Sequence, residues 1–208
     1  MGLTRRKIST VRNEFQKELK RLEIFDSQNQ KNFLKKNLSK QQLCLLTEAL
    51  FFNAFRAYEG FIRDIFLLYC MGKKPRTGAR VKSYLGPKSF DHAEDLIQSS
   101  MRFLDWASPD TVIERAELYL QEGFPVKIPY TTNLLPLRTF RRVRNHVAHN
   151  SSASLEEFKK VLKDHYGTIP INIPKPGEFL LLGDKKDKTK YKLLTFLELL
   201  KTLSDQLT

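Results

Sequence analysis

Late in the chain, the run Arg141-Arg142-Val143-Arg144-Asn145-His146-Val147-Ala148-His149 sets a permanent cation and a titratable imidazole five residues apart, beside a polar amide. Arginine holds a phosphate through bidentate, charge-assisted hydrogen bonds, and histidine moves a proton near neutral pH. These are parts of a phosphodiester-cleaving kit. Metal-free RNA cleavage needs a base for the 2′-hydroxyl proton, an acid for the departing 5′-oxygen, and a cation facing the charge that grows on phosphorus. One Arg144 and one His149 fill only part of that requirement. Two copies meeting across a two-fold axis, the commonest oligomer symmetry, would fill all three roles, so the chemistry predicts a homodimer.

Spacing adds a constraint. On a helix, residues five apart lie about 140° round the axis, while residues four apart share a face. Asn145 and His149 therefore point together, and Arg144 needs the length of its arm to reach the same phosphate. Asn145 is expected to orient His149 or to touch the phosphate itself. A plainer reading is a basic helix end, in which Arg144, His146 and His149 cap carbonyls and pair with acids such as Glu59. His92 and His165 have no comparable neighbours and read as surface or capping residues.

The elements that must carry these residues are helical. Ile8, Val11, Phe15, Leu19 and Leu22 recur every three or four residues and predict an amphipathic helix that breaks near Ser27 to Lys31. Ser39 with Gln42 forms a capping box that opens a long helix, and Gly72 is its natural stop. The stretch Leu43 to Cys70 is too apolar round its circumference for a surface helix and is the expected spine of the core, with Gly60 marking a close helix approach. Asp91 with Glu94 predicts a third helix reaching about Trp106, and Ser108-Pro109 starts a fourth that ends at Gly123. Thr131-Thr132-Asn133 opens the motif helix, and Asn150-Ser151-Ser152 breaks it. Ser154 with Glu157 then caps a further helix, stopped by Gly167. Prolines at 170, 174 and 176 argue against helix from 168 to 190 and for an irregular segment or a β-hairpin. Leu193, Leu194, Leu197, Leu200 and Leu203 close the chain with one more helix. Residues 1–38 read as an N-terminal helix and linker, and 39–208 as the helical domain, one globular unit overall.

Charge points to a polyanionic partner. Thirty-six basic against 23 acidic residues give a formal net charge of +13, and the sequence pI is about 9.7. Such a field concentrates RNA, DNA or an acidic protein near the surface. Arg138, Arg141 and Arg142 on the motif helix, and Lys73, Lys74, Arg76 and Arg80 in the connector after Gly72, are the candidate phosphate contacts. Cys44 and Cys70 lack metal-ligand spacing, no apolar run is long enough to span a membrane, and no secretory signal pattern follows the N-terminus. The expectation is a reducing, cytoplasmic setting with no metal or cofactor and no membrane. Phosphate-loop, dinucleotide, zinc-protease and serine-hydrolase motifs are all missing from the sequence.

Arg144-Asn145-x-x-Ala148-His149, late in a helical chain and preceded by a helix reading Ala57-Tyr58-Glu59-Gly60-Phe61-Ile62-Arg63-Asp64, resembles the HEPN superfamily. The Arg-Asn-x-x-Ala-His form is similar to the stand-alone HEPN nucleases of defence and toxin–antitoxin systems. The resemblance spans roughly residues 40 to 205 by helix order, and the short motif is its specific part. It implies an all-α bundle that dimerises through the motif helices. It also implies metal-independent RNA cleavage leaving a 2′,3′-cyclic phosphate and a 5′-hydroxyl, in a toxin or antiviral effector with an antitoxin or defence-system partner. Arg144 and His149 match the catalytic pair, Asn145 the polar position, and Glu59 the acid of an earlier core helix. The N-terminal helix and the 168–190 insert depart from the family pattern. Two other readings use the same residues: an RNA- or nucleotide-binding or regulatory module without catalysis, and a helical scaffold whose basic surface docks an acidic partner.

Overall fold

The computed structural model describes residues 6–99, 104–184, 187 and 189–208. Its elements are helical: α1 (Ile8–Leu34), α2 (Lys40–Cys70), α3 (Phe90–Gln98), α4 (Pro109–Tyr119), α5 (Lys127–Thr132), α6 (Leu134–His149), α7 (Ser152–Tyr166), α8 (Pro176–Leu180) and α9 (Lys192–Gln206). Among the described residues β pairing is limited to two isolated bridges, Ser83 with Leu120 and Gly183 with Tyr191. No helix among them is long and apolar enough to cross a membrane. The chain forms two compact units, each assembled from separated stretches: Met1–Lys17, Ala57–Leu135 and Lys201–Thr208 in one, Glu18–Arg56 and Pro136–Leu200 in the other.

The first unit is organised by the second half of α2, whose Ile62, Ile65, Phe66, Leu67 and Tyr69 are fully buried. Phe61 stacks on Phe15 of α1 with ring centroids 4.5 Å apart. The Tyr58 and Tyr130 hydroxyls, both inaccessible to water, satisfy each other at 2.6 Å. α2 stops as the sequence predicts: Gly72 takes φ +72°, and the Gly72 and Lys73 amides donate to the carbonyls of Tyr69 and Leu68. Ser108 and Pro109 open α4, with Ser108 Oγ accepting from the Thr111 amide. α3 begins earlier than expected, because Ser89 rather than Asp91 is its cap, accepting the His92 amide at 3.0 Å. His92 returns the favour by accepting the Lys88 amide through Nδ1 at 3.0 Å, a capping role. α3 ends at Gln98, and part of the predicted stretch to Trp106 lies outside the described residues.

Gly60 does not mark the expected close helix approach. A Cβ placed there meets nothing within 4 Å, and the residue is exposed within the helix. A glycine in an exposed helix interior costs about 0.5–1 kcal/mol relative to alanine. Gly60→Ala is therefore expected to raise stability by roughly that amount, read as an upward shift of the thermal unfolding midpoint; a lower midpoint would show a constraint at Gly60 that the packing does not reveal.

In the second unit, aromatic rings from three helices meet. Phe196 of α9 lies 4.8 Å from Phe51, 5.5 Å from Phe55 and 4.7 Å from Phe140 by ring centroids. α2 begins with the predicted capping box: Ser39 Oγ accepts the Gln42 amide at 3.2 Å and Gln42 Oε1 accepts the Ser39 amide at 2.8 Å. The expected break at Ser27 to Lys31 does not occur, and α1 continues to Leu34. That stretch has no glycine or proline to stop it; within it Asn29 is buried, and just before it Asp26 is buried too, accepting a hydrogen bond from the Tyr191 hydroxyl. Burial pushes the Asp26 carboxyl above its ordinary value despite that bond.

The insert after α7 is irregular where described, with one short helix, α8, and a single antiparallel bridge between Gly183 and Tyr191. Pro176 sits in the first turn of α8 and Glu178 accepts the Lys175 amide at 3.0 Å, so the proline starts a helix instead of preventing one.

Candidate active site

α6 carries the motif on two faces. Leu137, Phe140, Val143 and His146 are buried, while Arg138, Arg142, Asn145 and His149 recur at intervals of four, three and four along the other side. Arg138 and His149 are exposed, and Arg142 and Asn145 are half-buried. The predicted pairing of Asn145 and His149 on one helical face is thus the observed register.

Arg144 lies off that face. Its guanidinium carbon stands 5.8 Å from the ring centroids of both Phe52 and Phe55 on α2, and Nη1 donates to Asn145 Oδ1 at 3.2 Å. Two ring faces and an amide oxygen restrict the rotamers of a side chain that would otherwise be loose, which preorganises its charge. The Asn145 carbonyl is directed at Arg144, leaving its amide NH2 as the group that can reach a ligand.

The helix stops at His149. The Asn150 amide donates to the His146 carbonyl at 3.0 Å, and Asn150 takes φ +43°, a left-handed conformation that asparagine tolerates. Ser151 then caps α7 in a reciprocal box with Ser154, one turn earlier than the predicted pair Ser154 and Glu157. Ser154 also links α7 to α6: its Oγ accepts the Ser151 amide at 2.9 Å and lies 3.1 Å from His146 Nδ1. The direction of the Ser154–His146 hydrogen bond follows the imidazole tautomer. The His146 ring also stacks on Phe158 at 5.1 Å, and Arg142 pairs with Glu157 at 3.0 Å. Arg142 is therefore a tie between α6 and α7 as well as a candidate phosphate contact.

His146 is thus a packing residue, unlike the exposed His149. Burial lowers its imidazole below the ordinary 6.5, against a weaker opposite pull from Glu48. The unfolded chain takes up this proton at higher pH than the folded one, so the contribution to stability is present above the ordinary value and is lost as pH falls through the folded-state value. The urea midpoint should fall on going from about pH 7.5 to about pH 5, and His146→Gln, which keeps a polar group but cannot titrate, should shrink that fall. An identical fall in the variant would remove His146 as the cause.

The other sequence candidates divide between the units. Glu59 is half-buried on α2 in the first unit. The basic connector belongs there too: Lys74, Arg76 and Arg80 are exposed, Lys73 is half-buried, and Pro75 and Val81 anchor the loop by burial. Arg138, Arg141 and Arg142 lie with Arg144, Asn145 and His149 in the second unit. Among the described residues no group of three His, Cys, Asp or Glu side chains is placed to hold a metal ion.

No family model, curated protein or solved structure matches this chain.

Sequence reasoning missed the two rings beneath Arg144, although the aromatic density of α2 was visible. It also missed a cleft of about 680 Å³ beside the end of α6, lined among others by Gln41, Leu45, Glu48, Val147 and Asn150. The cluster Pro174, Pro176 and Gly177 was the available sign of an unusual backbone there.

Proposed function

We propose that this protein is a metal-independent endoribonuclease of the HEPN type, active as a homodimer, in the toxin or antiviral role that the family resemblance implies. The observation that carries the reading is the arrangement of α6. His149 ends the helix exposed beside Asn145 on a cation-bearing face, and Arg144 is held ready by Phe52, Phe55 and Asn145.

Arg144 and His149 diverge by about 140° round one helix, so a phosphate gripped by one chain's arginine is served more directly by a histidine from a second copy. In the two-fold site one His149 takes the 2′-hydroxyl proton, the other protonates the leaving 5′-oxygen, and the guanidinium stabilises the charge on the phosphorane oxygens. Phosphorus is attacked in line by the 2′-oxygen as the bond to the 5′-oxygen breaks. The products are a 2′,3′-cyclic phosphate and a 5′-hydroxyl. Arg138 and Arg141 supply sequence-blind phosphate contacts, and the exposed cations of the 73–80 connector are further candidates.

A site completed only by two copies makes activity depend on association. Specific activity is expected to fall on dilution in step with loss of the dimer, followed by light scattering and RNA cleavage on the same samples. Full specific activity in a demonstrably monomeric sample would contradict the composite site. Steeply salt-dependent RNA binding with no cleavage at any concentration would instead favour the non-catalytic binding module.

A further inference from the structure

The cleft beside the motif helix has a wall that is fastened in place. Gly177 lies so close to α2 that a Cβ there would be 2.4 Å from the Cys44 carbonyl oxygen, and the Gly177 amide donates to Glu48 Oε1 at 2.7 Å. Only glycine permits that approach, so the 173–178 segment is clamped against the start of α2 and the cleft is preformed. Its volume of about 680 Å³ falls within the ordinary range for small-ligand sites. All of its lining belongs to the second unit.

The lining chemistry is selective. Leu45, Val147 and Pro174 offer apolar faces, and Gln41 and Asn150 offer amide edges. Two cations, Lys40 and Lys175, are matched by two carboxylates, Glu48 and Glu178, and Lys40 pairs with Glu178 at 3.6 Å. The cleft is thus near neutrality in a chain of net charge +13. It holds no concentrated positive charge for a phosphate, and suits a flat, uncharged group with apolar faces and a donor–acceptor edge. Asn150, which follows His149 in the chain, lines it.

We propose that the cleft receives one unpaired nucleobase of the RNA whose backbone lies at His149, an inference that rests on the ribonuclease reading. A base held in a duplex has its edge occupied and its faces stacked, so the substrate class is single-stranded or looped RNA. Leu45 is 58% exposed, so Leu45→Trp fills the cleft from its rim without disturbing the core, and Gln41→Ala removes an amide edge from an exposed position.

The test uses the full chain and short single-stranded 2′-O-methyl oligonucleotides, which lack the 2′-hydroxyl needed for cleavage, with an abasic site stepped through each position. Binding is read by fluorescence anisotropy, with thermal midpoints confirming that both variants are folded. One abasic position is expected to weaken wild-type binding roughly tenfold. Leu45→Trp should show a similar loss on the intact strand and indifference to that abasic site, and Gln41→Ala should change which base is preferred there. Wild-type indifference to every abasic position, an unaltered preference in both variants, or no binding at all would overturn the proposal. So would tight binding of a free nucleoside monophosphate that the strand cannot displace. Because these strands cannot be cleaved, base-dependent binding stands even if the protein proves not to be a nuclease. Conversely, metal-free RNA cleavage without base dependence overturns the cleft assignment alone.

Discussion

Replacing His149 by alanine is expected to lower RNA cleavage in EDTA by about 10²–10⁴-fold, the range that a positioned acid or base contributes. The loss belongs to chemistry rather than to folding, because His149 is exposed at the last position of α6 and its removal opens no cavity. Arg144→Ala should cost about 10²–10³-fold, comparable to deleting one donor from a preorganised charge-stabilising site. The two differ in a second measurement. Arg144 covers Phe52 and Phe55 with its side chain, so Arg144→Ala is expected to lower the unfolding midpoint slightly, whereas His149→Ala should leave it unchanged. Arg144→Lys separates charge from geometry: it keeps the cation but loses the planar fork, and should remain well below wild type. Equal cleavage by wild type and His149→Ala would remove the histidine from the reaction.

The second large effect is structural and reaches the site through packing. Phe196 has no solvent exposure and touches the Phe51, Phe55 and Phe140 rings. Phe196→Ala is expected to destabilise by about 3–5 kcal/mol, the cost of a phenylalanine-sized cavity that rigid neighbours cannot fill. Those neighbours also hold the candidate site, since Phe55 lies under the Arg144 guanidinium and Phe140 is buried on α6. Urea unfolding measures the loss, and Phe196→Leu, which keeps most of the volume, should recover a large part of it. A loss below about 1 kcal/mol for the alanine variant would mean that this cluster is not the energetic centre of the second unit.

Local signals were the legible part of the fold. Ser39 with Gln42, Gly72, Ser108-Pro109, Gly167 and the leucines of α9 each act through bonds or packing within a turn or two of helix, and each appears where the pattern places it. The misreadings share a cause in competition between neighbouring caps or in distant partners. Ser89 and Ser151 outcompeted Asp91 and Ser154 as caps, a choice among adjacent polar residues that pattern alone cannot make. Asn29 fell in a predicted polar break yet is buried, and beside it Asp26 is bonded to Tyr191, far away in sequence. Gly60 looked like a contact because glycine has two uses in a helix, and only coordinates show that the space beside it is empty.

At the candidate site, the shared register of Asn145 and His149 followed from spacing alone. The rings under Arg144, the Ser154 partner of His146 and the neutral cleft at Asn150 did not, because each joins residues from separate helices or loops. The division of the chain into two units was equally hidden, since both are built from stretches far apart in sequence.

The most direct measurement is the end-group chemistry of labelled single-stranded RNA incubated in EDTA with wild-type protein, His149→Ala and Arg144→Ala side by side. A metal-free ribonuclease of this design yields 2′,3′-cyclic phosphate and 5′-hydroxyl ends with wild type and almost none with either variant. Intact RNA in all three reactions with dimeric wild-type protein, or cleavage that survives in both variants, would contradict it.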